Sequence, residues 1–181
     1  MSKVTSAEVV SFWREAGPER WFEKDEDFDH TIRSRFLAIH EAAARGELSA
    51  FEESAEGALA LIILFDQFPR NMFRGSARAF ATDPLARAVA NRALARGFDQ
   101  ATDATMRPFF YLPFMHSELI ADQDRCVELY EAFGDAGLSK RAARHRDIIA
   151  KFGRFPHRNR VLGRDATPAE LAFLDGGGFS G

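Results

Sequence analysis

The sequence predicts an all-α fold, on three observations. Apolar residues recur at helical spacing in several stretches, capping signals bracket those stretches, and no two segments alternate as paired strands would. With 181 residues, 46% of them apolar, the chain can form one domain with a continuous core, held without disulfides or metals. Eighteen phenylalanines against two tryptophans and two tyrosines suit that core, because a phenyl ring adds bulk without a polar atom to satisfy.

Thr5 and Glu8 form a capping-box pattern that opens a helix through Val9, Val10, Phe12 and Trp13 to about Ala16, stopped by Gly17-Pro18. From Asp25, Phe28, Ile32, Phe36, Ile39 and Ala43 mark one long amphipathic helix up to Gly46. The run from Ala58 to Phe65 is apolar on all sides and predicts a buried central helix over 54–67, ended by Pro69. Asp83-Pro84 and Gly97 bracket a helix over 84–96, with Phe98 folding back on Ala93.

Residues 107–116 hold two prolines and a dense aromatic group, which suits a short buried helical turn. Ser117 is expected to cap a helix whose inner stripe is Leu119, Gln123, Cys126, Tyr130 and Phe133, with Gly134 beyond it. Ser139 is expected to open another, with Ala142, His145, Ile149 and Phe152 on one face. Thr167-Pro168-Ala169-Glu170 starts a short last helix to Leu174. About seven helices plus short helical turns result, in one domain over 1–175 followed by a flexible Gly-rich tail over 176–181. Short connections favour antiparallel helix pairs.

A formal charge of −3 argues against a dedicated DNA binder. The average hides a gradient: residues 1–66 carry 7 basic and 14 acidic groups, whereas 138–165 carry 9 basic and 2 acidic. The two ends attract, within the fold or across a homodimer, and the basic segment also suits an anionic ligand. The single Cys126 makes an internal disulfide impossible and fits the cytoplasm. No secretory signal pattern begins the chain, and its longest apolar run is far too short to span a bilayer.

One pattern recurs. Ile62-Ile63 leads to Phe68-Pro69-Arg70-Asn71, and Ile148-Ile149 leads to Phe155-Pro156-His157-Arg158-Asn159. Each reads as a helix ending in Phe-Pro, followed by Arg-Asn, and each continues to a glycine and a polar residue, Gly75-Ser76 and Gly163-Arg164. Arg and Asn at such a turn can bond the orphan carbonyls of the helix end, a purely structural role. The functional alternative is that Arg70, Asn71, Arg74, Arg158 and Asn159 line a groove and hold a carboxylate or phosphate.

These strings also resemble a known bacterial family, domain of unknown function 924. The resemblance rests on Phe65-Asp66-Gln67-Phe68-Pro69-Arg70-Asn71, Phe73-Arg74-Gly75, Ala79-Phe80-Ala81-Thr82-Asp83-Pro84-Leu85 and Phe110-Tyr111-Leu112-Pro113-Phe114-Met115-His116-Ser117-Glu118. His145-Arg146-Asp147, Gly153-Arg154-Phe155-Pro156-His157-Arg158-Asn159, Trp13 and Trp21-Phe22 extend it over almost the whole chain. It implies helix pairs in a right-handed array similar to tetratricopeptide-repeat proteins, and no established reaction. Leu119 departs from the acidic residue the family pattern leads one to expect there.

No recognised catalytic motif is present. The histidines, His30, His40, His116, His145 and His157, show no zinc spacing, the glycines of 176–178 precede no phosphate-binding Lys-Ser, and no serine sits in a nucleophile elbow. No metal or cofactor is therefore expected. The favoured reading is a helical scaffold that binds an acidic peptide or small anion through the two Phe-Pro turns. The alternative is a small metal-independent enzyme using His157 or His116 beside those arginines, with Asp66 as a weaker catalytic candidate that better suits pairing with an arginine. A further alternative is RNA binding through 138–165, disfavoured because Phe152 and Phe155 look committed to the core. His145, on an apolar stripe, reads as a satisfied core histidine.

Overall fold

A computed structural model describes residues 4–179. Every regular element among them is helical: α1 (Ser6–Ala16), α2 (Pro18–Trp21), α3 (Glu26–Ala44), α4 (Ala55–Ile62), α5 (Phe68–Met72), α6 (Asp83–Ala95), α7 (Leu112–Met115), α8 (Ile120–Phe133), α9 (Ala136–Phe152) and α10 (Pro168–Asp175), with short 3-10 turns and one π segment. The all-α reading of the sequence holds. Packing divides the chain into two units: residues up to Arg74 with Arg78–Pro113, and Gly75–Ala77 with Phe114 onward.

The first unit is built around an aromatic core. Trp13 is fully buried and meets Trp21, Phe28, Phe68 and Phe109 at centroid distances of 5.7–6.2 Å, while Phe36 lies tilted at 4.8 Å from Phe68. Trp21 donates its indole N–H to the Trp13 carbonyl at 2.6 Å, which ties α2 back onto α1. Both expected capping features of α1 are present: Thr5 accepts the Glu8 N–H, and Glu8 accepts the Thr5 N–H. At the end of α6, Gly97 takes a left-handed φ of 69° and the Phe98 N–H reaches the Ala93 carbonyl, as its sequence predicts.

The central helix departs from expectation. It does not end at Pro69: α4 passes into a π segment, Ile63–Gln67, and α5 carries Pro69 inside it as far as Met72. A proline inside a helix leaves the carbonyl four residues earlier without its donor. Here that carbonyl is Phe65, and the Thr82 hydroxyl donates to it at 2.7 Å. The neighbouring carbonyls are also served by side chains, Leu64 by His40 Nδ1 at 2.9 Å and Asp66 by the Arg70 guanidinium. A π turn widens the helix and releases such groups, and three side chains take them up.

In the second unit α8 and α9 pack together over a core that includes Cys126, Tyr130, Ala142, Ile148, Ile149 and Phe155. Cys126 is a buried thiol whose pKa is pushed up to about 12 by burial. Ser117 does not cap α8, which starts at Ile120. Ser117 Oγ accepts the Leu119 N–H and donates to Asp122, while Gln123 Nε2 reaches the carbonyls of Met115 and Ser117. Leu119, expected on the inner stripe, is 57% exposed because it precedes the helix. Asp135, not Ser139, caps α9, and Asp83 belongs to α6 rather than capping it. The Thr167–Glu170 capping box of α10 is formed.

Candidate functional site

The first Phe-Pro turn lies in the first unit. Arg70 closes two parallel bonds onto Asp83, at 2.9 and 3.0 Å, and approaches Asp66 Oδ1 at 3.3 Å. Asp66 is fully buried and also accepts the Gln67 amide. Burial opposes the charge on Arg70, but Asp66 and Asp83 outweigh it and raise its pKa above the ordinary value. Asn71 donates to Asp29 Oδ1 at 2.8 Å, and Arg74 forks onto the same carboxylate at 2.7 and 2.9 Å. Arg70, Asn71 and Arg74 thus each face a carboxylate of the chain itself, and Asp66 pairs with an arginine as its sequence position suggests.

The second Phe-Pro turn lies in the second unit and is built differently. Gly153 ends α9 in the left-handed region, φ 69°, and Phe155 enters the core before Pro156–Arg158 form a 3-10 turn. Arg158 donates to the His116 carbonyl at 3.0 Å and lies over the Phe155 ring at 4.5 Å. Glu118 accepts the Phe155 N–H at 2.8 Å and is gripped by Arg164 at 2.7 and 3.0 Å. Burial alone would raise the Glu118 pKa, but Arg164 and the Phe155 N–H pull it below the ordinary carboxylate value. Arg164 also donates to Asn159 Oδ1 at 2.9 Å.

A second ion pair braces the turn: Arg154 forks onto Glu170 at 2.6 and 2.8 Å, and that pairing, with the Thr167 N–H, holds the Glu170 carboxyl far below the usual range. Glu118, Arg154, Arg164 and Glu170 each lie in a sequence pattern noted above, but the pairing of Glu118 with Arg164 and of Arg154 with Glu170 is not among the sequence expectations. Their partners are 16 to 46 residues away, a separation that leaves no local mark.

Two imidazoles complete the arrangement. His145 Nδ1 bonds the Arg141 carbonyl at 2.8 Å, so the core histidine is satisfied within its own helix. His157 stands 5.6 Å from the Phe155 ring, and its Nδ1 is buried with no hydrogen-bond partner. Burial lowers both pKa values to about 4, with Arg158 adding to the effect at His157. Phe179 lies across the pair, 4.6 Å from His145 and 5.2 Å from His157.

The structure therefore brings His116, His157, Arg158 and Asn159 together in one unit, and Asp66, Arg70, Asn71 and Arg74 in the other. A surface groove of about 470 Å³ runs along α3 past His30, Arg33, Leu37 and Glu41 and includes none of the turn residues. Among the described residues, no group of three His, Cys, Asp or Glu is placed to hold a metal ion, and no helix is long and apolar enough to cross a membrane.

An all-helical chain with arginine-braced Phe-Pro turns is the class that fold and site define. The chain belongs to the family described as bacterial protein of unknown function, DUF924, whose profile matches residues 9–178. It is similar to a solved structure of a protein of unknown function from Agrobacterium tumefaciens, with 51% identity, 94% of this chain and 97% of that chain covered, and a TM-score of 0.91. No curated protein matches it.

Proposed function

We propose that the protein is a helical binding module and that its second Phe-Pro turn receives a small anionic group, a carboxylate or a phosphate, free or on an acidic peptide. The observation that carries this reading is His157 Nδ1, a buried polar atom with no partner, beside Arg158. Buried polar atoms are almost always paired, so an unspent one in a basic turn suits an incoming acceptor. Of the five residues expected to line a groove, Arg70, Asn71 and Arg74 already face Asp29, Asp66 and Asp83. Recognition is accordingly assigned to His157, Arg158 and Asn159. Exposed Lys140, Arg144 and Lys151 on α9 add the positive surroundings that draw an anion in.

Binding is favoured over catalysis by the base strength of His157. A general base works best with a pKa near the operating pH, and His157 at about 4 is a weak proton acceptor at neutrality. A catalytic role for His157 or His116 would need a ligand that first raises that value.

The experiment is calorimetric titration with acetate and with inorganic phosphate of the wild-type protein, His157→Ala and Arg70→Lys. Saturable binding that is lost in His157→Ala and kept in Arg70→Lys supports the reading. Binding that survives His157→Ala, or none in the wild type, overturns it.

A further inference from the structure

The last described residues make a defined turn. Gly177 takes a left-handed φ of 76°, its N–H reaches the Leu174 carbonyl, and the Gly178 N–H reaches the Phe173 carbonyl at 2.9 Å. This is the Schellman arrangement, which reverses the chain at a helix end. A Cβ at Gly178 would lie 2.3 Å from the Phe173 carbonyl oxygen and 2.7 Å from a carbon of its ring, so only glycine fits. The reversal lays Phe179 edge-on over His145 and His157, part-buried against the cluster of Ile148, Ile149 and Phe155. Arg144 lies 5.9 Å from the Phe179 centroid.

Three aromatic rings thus form a slot for a fourth: Phe155 stands edge-on to His145 at 5.8 Å and tilted to His157 at 5.6 Å, and Phe179 meets both imidazoles edge-on. The partnerless Nδ1 belongs to one wall of that slot. We infer that Phe179 is an internal occupant of a site for an aromatic carboxylate, and that a ligand enters by displacing it. The inference rests on the anion-binding reading above and adds to it the chemical class of the ligand and a self-masking device. Phe179 fills the slot with apolar and ring contacts but brings no acceptor to the His157 nitrogen. A ligand ring that brings its own carboxylate gains the same contacts and also an acceptor for His157, so it outcompetes the chain's own residue.

The test compares phenylacetate with acetate, by calorimetry and by following the His145 and His157 ring signals in NMR, in the wild type, Phe179→Ala and Phe179→Leu. Phenylacetate is expected to bind Phe179→Ala at least ten times more tightly than the wild type, with Phe179→Leu between them, while acetate binds all three alike. Equal phenylacetate affinity in all three proteins overturns the proposal. If acetate still moves the His157 signals in that case, the anion reading survives and only the aromatic slot and its mask fall. If neither compound binds any of the three, both fall. Phe179 sits at a chain end and packs only part-buried on the core, and Phe179→Leu keeps apolar bulk there should Phe179→Ala fold poorly.

Discussion

Arg70 and Asp83 form a two-pronged ion pair across 13 residues of sequence, closed beneath by the fully buried Asp66. One guanidinium thereby bridges two carboxylates and, through the Asp66 carbonyl, anchors the π segment to α6. Breaking a buried pair by removing one partner strands the other charge, at about 3 to 5 kcal/mol. Arg70→Ala is therefore expected to lower unfolding free energy by about that amount in urea titrations. Arg70→Lys, which lacks the planar fork, should recover part of it.

Thr82 offers a narrower test of the same region. Its hydroxyl stands in for the N–H that Pro69 lacks. Thr82→Val keeps the shape and strands the Phe65 carbonyl, which is expected to cost about 1 to 3 kcal/mol, whereas Thr82→Ser should retain most of the stability. Equal denaturation midpoints for Thr82→Val and the wild type would contradict the account of how a proline is carried inside this helix.

Gly57 is required by a close approach rather than by a turn. A Cβ there would lie 2.0 Å from the Phe51 carbonyl oxygen, a contact with backbone that cannot rotate away. Gly57→Ala is expected to destabilise by about 1 to 3 kcal/mol, the range for overpacking, despite alanine's better helix propensity. Thermal unfolding against the wild type checks it.

Acid should act in two separate windows. Folding lowers the pKa of His145 and His157 from the ordinary 6.5 to about 4. The unfolded chain therefore takes up protons from about pH 6.5 while the folded chain does not, and stability is full above that pH and falls as pH drops toward 4. With partial exposure discounted, each ring contributes about 2 to 3 kcal/mol to the loss. Glu118 and Glu170 shift in the same direction, below their ordinary 4.5, so their contribution also falls with acid, but only below about pH 4.5. Denaturation at pH 7 and pH 5 should show a decline that is largely absent in a His145→Gln/His157→Gln double variant.

Local signals in the sequence were legible. Capping boxes at Thr5 and Thr167, the stripe from Phe28 to Ala43, and the glycine stops at Gly97 and Gly134 all appear where short-range stereochemistry puts them. Misplaced boundaries have equally local causes. Pro69 reads as a terminator until a threonine 13 residues later supplies its missing donor, and Ser139 reads as a cap although Asp135, four residues earlier, does the work.

The site was legible only in its parts. The recurrence of Phe-Pro with Arg and Asn pointed to both turns, but it could not tell that Asp29 takes up Asn71 and Arg74 from more than 40 residues away, while His157 keeps an unspent nitrogen. Nor could it show that Phe179, beyond a run of glycines, lies on that histidine. Such pairings are set by tertiary packing, and single-residue chemistry does not encode them.

Anion binding at the second Phe-Pro turn is tested most directly by following the His157 imidazole by NMR during a phosphate titration at several pH values. An anion at Nδ1 favours the charged ring and must work against burial first, then Arg158, His145 and His116, while Glu118 already favours the charged ring. Saturable shifts at His157 are expected, with a His157 pKa raised well above 4 in the bound state and affinity that tightens as pH falls from 7 toward 5, and with the guanidinium signals of Arg70 and Arg74 unmoved. Saturable shifts confined to Arg70 and Arg74, or a His157 pKa unchanged at saturating phosphate, would contradict binding at that turn.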